Sequence, residues 1–295
     1  MRGLILAAGR SQRLQELTDS RNKVLLDLAD GKSILENLLD QFESAGVKPN
    51  CVVVGNDAPA VRTRIGRRAS LLLNPFYEHF GILSSLWVAR SEFYAAPFVV
   101  SVGDHYLERE AMADFMQAQT GAGVLLHVEL KKCDDEDMKV FIDHHHKLET
   151  ISKVWTSGTA IGEFSGLIRF SAQGSRLFFD CLADYAWSHG VRANSYMADV
   201  LMACHRSEAL AFHLSSDHRR MDVDYPSDYM RARDLYKTRP QPAPTPAVAA
   251  PPMFETTPES AVMGGCVAAA DGLRAAGEPV GAARALVAAA PDTGG

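Results

Sequence analysis

The sequence has no uninterrupted apolar run of the roughly 18 residues that a membrane span needs. It has no cationic excess either. Thirty Lys and Arg stand against 36 Asp and Glu, for a formal net charge of -6 and a pI near 5.9. A general nucleic-acid binder carries a basic face and a high pI, so that class is set aside, while a local basic pocket for a small anion remains open. Cysteine is sparse and unpaired. Cys51, Cys133, Cys181, Cys204 and Cys266 are odd in number and scattered, with no CxxC pair. That excludes a zinc ribbon or thioredoxin-type site and fits free thiols in a reducing compartment. The first residues form an apolar strand-like run without a signal peptide's cleavage region, so the expected localisation is cytoplasmic. Two phosphate-binding signatures are missing as well. There is no GxGxxG. Gly31-Lys32-Ser33 resembles the end of a Walker A loop, but Leu26 stands at the required earlier glycine.

What is present is unevenly spread. The chain is 47% hydrophobic and 22% charged, ordinary values for a globular protein of 295 residues. Nine of its 14 prolines fall within residues 239–295, a stretch that also holds 16 alanines, one aromatic residue (Phe254) and no lysine. The chain therefore divides into a folded domain over residues 1–238 and an Ala/Pro-rich tail or linker over residues 239–295. Within the tail, residues 240–252 are expected to be extended, and residues 259–276 and 279–290 to form weak, glycine-interrupted helices.

Within the first 238 residues, apolar strand-like runs alternate with helical patterns. Strands are expected over residues 3–8, 51–54, 71–73 and 98–102, with helices over 33–45 and 82–94. Ser33 and Glu36 form a capping box, and Gly46 stops the first of those helices. Further strands are expected over 123–130, 139–142, 161–170 and 221–224, and helices over 175–188, 195–205 and 226–236. The alternation implies an α/β fold with a mixed, mainly parallel sheet.

Ligands in such sheets bind beyond the carboxyl ends of the strands. Three strand ends carry suitable residues. Leu6-Ala7-Ala8-Gly9-Arg10-Ser11-Gln12-Arg13 combines small residues, which let backbone N–H groups approach a phosphate, with the cations Arg13 and, further on, Lys23. Asp104 follows a buried strand and Gly103, where it can hold a divalent cation. Asp222 and Asp224 are two apart, so on a strand they point to one side and repel unless a cation lies between them. The plainer alternatives are an ordinary βα turn and solvated edge carboxylates.

Together these elements carry a resemblance. LAAGRSQRL with Thr18 and Lys23-Val24-Leu25-Leu26, then Gly103-Asp104, then Asp222-Val223-Asp224, resembles in order the motifs of the nucleoside-triphosphate transferases of GT-A-like fold, over about residues 2–236. The resemblance implies a Rossmann-like three-layer α/β/α nucleotidyltransferase fold. It also implies a nucleotide site at Leu6, Ala7, Ala8, Gly9, Arg10 and Ser11, catalytic Arg13 and Lys23, and Mg²⁺ on Asp104, Asp222 and Asp224. Two positions depart from the family: Asn22 stands for the usual proline before the loop lysine, and Ser11-Gln12 replace a second glycine.

Asn74-Pro75-Phe76-Tyr77 with Gly81, Ser84, Ser85 and Leu86 resembles the cytidine-pocket element of the branch acting on phosphocholine, 2-aminoethylphosphonate or 2-hydroxyethylphosphonate. That branch includes the cytidylyltransferase domain of a fosfomycin-pathway fusion enzyme. In the same resemblance Lys153 is catalytic and holds the acceptor together with Glu163. The implied reaction joins CMP from CTP to a small phosphate or phosphonate ester and releases pyrophosphate. The rival readings are a sugar-1-phosphate or inositol-1-phosphate nucleotidyltransferase and a non-catalytic nucleotide sensor. Nucleic-acid and membrane partners are not expected, and the tail would link or dock another domain. Trp155, Tyr185 and Trp187 are candidates for a cation–π cage, against a plainer reading as scattered aromatics. Asp143-His144-His145-His146 reads as a polar loop, and residues 131–137 as a solvated hairpin tip.

Overall fold

A computed structural model describes residues 1–18, 21–190, 192, 194–216 and 220–239. The expectations for residues 240–295, including both weak helices and Cys266, lie outside the described residues. In chain order the elements are β1 (Arg2–Ala7), α1 (Gln15–Thr18), β2 (Asp27–Ala29), β3 (Lys32–Ser33), α2 (Ile34–Ser44), β4 (Asn50–Val54), α3 (Ala58–Ile65), β5 (Ala69–Leu73), α4 (Ile82–Phe93), β6 (Phe98–Val102) and β7 (His105–Leu107). They continue with α5 (Arg109–Gln117), β8 (Val124–Glu129), β9 (Lys139–Ile142), β10 (Leu148–Ser152), β11 (Thr159–Phe170), α6 (Ala172–His189), α7 (Met197–Ser207), β12 (Ala211–Ser215), β13 (Arg220–Asp222) and α8 (Pro226–Thr238).

The central sheet is mixed. Its order is β10-β9-β11-β6-β1-β4-β5, with β8 paired to β11 and β12. Strands β6, β1, β4 and β5 run parallel, whereas β11 runs antiparallel to β6, β8 and β9. Alternation along β1 and β6 divides the core between the two faces. Leu4, Leu6, Phe98 and Val100 pack with α4, α6 and α7, while Ile5, Ala7 and Val99 pack with α2, α3 and α5. This is the expected three-layer α/β/α fold. Each fully buried Leu or Phe contributes about 1.5–3 kcal/mol relative to exposure.

Helix α2 starts where the sequence places it. Ser33 Oγ accepts from Glu36 N, and Glu36 accepts from Ser33 N. The helix ends at Gly46, whose φ of +74° suits glycine, and Val47 N donates back to Phe42 O. Two small ribbons lie outside the large sheet. One pairs β2 with β3; the other pairs β7 with β13 antiparallel, setting Asp222 opposite His105. A third apolar cluster of Leu14, Leu28, Ile34, Tyr106, Val223, Ala232 and Tyr236 seats α8 beneath that second ribbon. No helix among the described residues is long and apolar enough to cross a membrane.

Candidate active site

Strand β1 lies between β4 and β6, and the crevice beyond its carboxyl end is where such sheets bind ligands. Its first wall depends on close backbone approach. Gly103 N donates to Leu6 O at 2.8 Å, and a Cβ at Gly103 would lie 2.9 Å from both Leu6 O and the Ala7 methyl. Gly55 plays the same part for Tyr77, which packs where a Cβ would be.

The two departures in the loop prove to be its fasteners. Ser11 adopts a left-handed φ of +57°, and its Oγ accepts from Lys23 N at 2.7 Å. Asn22 is buried. Its Nδ2 donates to Ala7 O at 2.7 Å and to Asn56 O at 3.1 Å, and its Oδ1 accepts from Val24 N. Loop and strand end are thus tied together by side chains at the two departures from the motif, Ser11 and Asn22.

Lys23 is the centre of the site. Its Nζ lies 2.7 Å from Asp104 Oδ2 and 2.6 Å from Asp224 Oδ1. Burial pulls the lysine pKa down, but the two carboxylates outweigh it and hold the ammonium above its ordinary range. Arg13 Nη1 reaches Asp224 Oδ2 at 3.1 Å, and its guanidinium lies over Tyr225.

Asp222 and Asp224 border one cleft, but they do not converge on one cation as the i, i+2 spacing suggests. Strand β13 ends at Asp222, so the alternation stops there. Val223 is buried and donates its N–H to Asp104 O. Asp224 then turns toward Lys23 and Arg13, while Asp222 stays with Arg220 Nη2 at 2.5 Å and His105 Nε2 at 2.8 Å. Burial opposes ionisation of Asp222, yet Arg220 and His105 hold its carboxyl well below the usual range. Ligand atoms of Asp104, His105 and Asp222 lie within 4.8 Å of one another, and Asp104 Oδ1 is buried with no hydrogen-bond partner among the described residues. That unsatisfied oxygen fits a divalent cation. Asp224, engaged by two cations, stands outside this cluster.

Three adjoining clefts open here. The first, about 290 Å³, is lined by Leu6, Ala7, Ala8 and Gly9 on one side and Asn74, Tyr77, Phe80, Gly81 and Ser85 on the other. Asn74 donates to Ser84 Oγ at 2.9 Å and Ser85 Oγ at 3.1 Å. Ser84 spends its own hydrogen on Gly81 O, so it fastens the wall rather than lining it. The second cleft, about 400 Å³, is lined by the loop from Gly9 through Arg10, Ser11 and Arg13, with Lys23, Asp104 and Asp224. The third, about 390 Å³, shares Arg13 and Asp224 with the second and adds Asp222, Arg220, Glu163, Lys131 and Lys153.

Comparison with known proteins then decides the family. The model of the MobA-like NTP transferase domain matches residues 3–289. The chain belongs to that family. It is accordingly a nucleotidyltransferase. No curated protein matches the sequence. Among solved structures, a protein from Bacillus anthracis classed as a glucose-1-phosphate thymidylyltransferase is 17% identical with a TM-score of 0.67, covering 82% of this chain and 98% of that one. The CTP:phosphocholine cytidylyltransferase of Streptococcus pneumoniae is 17% identical with a TM-score of 0.64, covering 80% and 98%. The inositol-1-phosphate CTP transferase of T. maritima is 16% identical with a TM-score of 0.66, covering 80% and 96%. At these identities the likeness establishes the fold.

In this NTP transferase the third cleft holds what the sequence hides. The expected solvated tip is instead part of the wall: Lys131 Nζ bonds Asp137 at 3.0 Å and reaches Glu163 at 3.4 Å, and Asp137 is buried. Arg220, fully buried, joins Glu129, Asp222 and Ser165 O across 91, 2 and 55 residues of chain. Only its place two residues before Asp222 could have drawn notice. Burial, with Asp222 and Asp137 nearby, pushes Glu163 up to about 7 against the pull of Arg220 and Lys131. Lys153 approaches Glu136 at 3.7 Å and lies over the Tyr196 ring. The candidate aromatic cage is not formed. Trp155 packs on Phe141, Tyr185 stacks on His189, and Trp187 is 93% exposed. Asp143 accepts from the backbone N–H groups of His145 and Lys147, so the histidine run is a polar turn, as expected.

Proposed function

We propose that the chain transfers CMP from CTP to a small acceptor that carries a phosphate or phosphonate and a cationic amine, releasing pyrophosphate. The reading rests chiefly on the third cleft. Eight carboxylate and five cationic side chains line it, so an acceptor with one anionic and one ammonium end finds partners for both. Lys131 and Lys153 suit the anionic end; Glu163, crowded by other carboxylates, gains from an ammonium beside it. A sugar phosphate or inositol phosphate offers no cation to offset that acidic excess.

The first cleft is the base site in this reading. Ser85 accepts from Asn74 and donates to no described residue, so its hydroxyl has a hydrogen for a pyrimidine carbonyl or ring nitrogen. The apolar walls of Ala7, Tyr77 and Phe80 suit a flat ring. The loop cleft takes the triphosphate, with Arg13 and Lys23 as fixed cations.

Chemistry then follows from position and charge. An acceptor oxygen attacks the α-phosphorus in line. The new O–P bond forms as the bond from the α-phosphorus to the bridging oxygen breaks, and pyrophosphate leaves with the electron pair. Lys23 leaves its two carboxylates and Arg13 leaves Asp224 to neutralise that leaving group, while Lys153 orients the acceptor. Asp104 and Asp222 would hold Mg²⁺, which when bound supplies positive charge at the α-phosphate. The test is pyrophosphate release with CTP, UTP, ATP, GTP and dTTP. Each is tried alone and with phosphocholine, 2-aminoethylphosphonate, 2-hydroxyethylphosphonate, inositol-1-phosphate and glucose-1-phosphate. Fastest release with CTP and an amine-bearing acceptor supports the reading; a preference for a sugar phosphate or inositol phosphate refutes it.

A further inference from the structure

Lys139 is fully buried, yet no carboxylate among the described residues pairs with it. A buried ammonium is costly unless its hydrogens are all taken. Here three backbone carbonyls take them: Lys153 O at 2.7 Å, Asp137 O at 3.2 Å and Asp135 O at 3.4 Å. The indole of Trp155 closes the remaining side, its ring centre 4.9 Å from Nζ, and is itself held by a 2.8 Å bond from its Nε1 to Asp135 Oδ1.

The carbonyls come from two segments that are remote in sequence. Asp135 and Asp137 belong to the connection between β8 and β9, whose Lys131, Asp134, Glu136 and Asp137 line the third cleft. Lys153 follows β10 and lines the same cleft from another side. In register, Lys139 lies between Ser152 on β10 and Glu163 on β11. One ammonium therefore fastens both walls from behind without entering the cleft. An aliphatic side chain of equal length would fill the space and leave three carbonyls unpaired, and the link between residue 153 and residues 135–137 would then fall to the long, exposed Lys153–Glu136 contact at 3.7 Å.

We propose that Lys139 is the positioning residue of the acceptor cleft. It sets the spacing between Lys153 and the Lys131–Asp137 pair and so governs acceptor affinity without touching nucleotide or acceptor. The inference rests on the reading of the third cleft as the acceptor site. It predicts a split between the two substrates that a general loss of stability would not give.

The test uses the full-length protein with Lys139→Met and Lys139→Arg. In the methionine variant the acceptor KM should rise about tenfold or more. The Kd for CTP, measured by calorimetry without acceptor, should stay within about twofold. The arginine variant keeps the charge and should lose less; it carries the test if the methionine variant does not fold. Hydrogen–deuterium exchange should quicken over residues 131–138 and 153–157, and not over β1, β4 or β6. An unchanged acceptor KM, or equal losses for CTP and acceptor, overturns the proposal. If the wild type uses no phosphate-bearing acceptor, the functional reading fails separately. Unchanged exchange in the two segments then overturns the positioning role, and localised quickening upholds it.

Discussion

The halves of the site proposed for nucleotide and for acceptor are built by opposite means. The nucleotide half stands on parallel strands β1, β4 and β6, and its first cleft has apolar and small-residue walls with Lys23 and Asp104 as its only charges. Its polar contacts are made largely by backbone and by short side chains such as Ser11, Asn22 and Asn74. The acceptor half stands on the antiparallel strands β8, β9 and β11, and nearly all its lining residues are charged. Its order comes from long-range ion pairs and from two buried cations, Arg220 and Lys139. A backbone-built pocket keeps its shape through many side-chain changes, whereas a pocket built from paired charges changes its ligand when one partner changes. In the proposed reading, the first suits the nucleotide and the second suits the acceptor.

The largest expected effect falls where the halves meet. Asp104→Asn should lower kcat by about 10²–10³, the scale of losing one charge-stabilising group, with the melting temperature close to wild type. Near-normal turnover would remove Asp104 from the chemistry. Next, Lys23→Met should lower kcat/KM for CTP about a hundredfold and leave acceptor binding nearly intact. Equal losses on both substrates would erase the proposed division.

Glu163→Gln sharpens the acceptor side. It should raise the acceptor KM about tenfold and leave the CTP KM alone. It also has a pH signature. The carboxyl is pushed up from 4.5 to about 7 in the folded protein, so the folded state binds the extra proton between those values. Its contribution to stability is therefore fully present below about 4.5, falls as pH rises to about 7, and is flat above. Glu163→Gln should melt higher than wild type at pH 8, with the gap shrinking toward pH 5. A gap that widens on acidification would contradict the shift. Asn22→Ala should cost about 1–3 kcal/mol, by unpairing the buried Ala7 carbonyl, and raise the CTP KM a few-fold. Smallest of all, Trp187→Ala should change neither KM, since the side chain is 93% exposed among the described residues; a loss of acceptor affinity would revive the aromatic cage.

The same contrast explains what could be read from sequence. The parallel half was legible because its signals are local. Alternation in β1 and β6, the capping box of α2 and the Gly103-Asp104 turn each lie within a few residues. Strands β2, β3, β7, β10 and β12 and helices α1, α3 and α5 lie outside the expected elements. They are short, and β7 and β12 are defined by partners far along the chain. The charged tip at residues 131–137 reads as solvated because nothing local tells Lys131 of Glu163, 32 residues on. Asp222 and Asp224 misled through a strand that ends between them. Lys139 carries no signal at all: a lysine opening a strand looks like an edge residue, and only the folded sheet closes over it.

In the proposed reaction two substrates from adjoining clefts meet across Asp104 and Lys23 and are joined there. ³¹P NMR of a reaction with CTP, Mg²⁺ and either phosphocholine or 2-aminoethylphosphonate tests it most directly. Pyrophosphate and a cytidylylated acceptor with a new P–O–P resonance should appear in equal amounts and only when both substrates are present. Pyrophosphate without an acceptor-linked product, or no reaction with any amine-bearing acceptor, would contradict it.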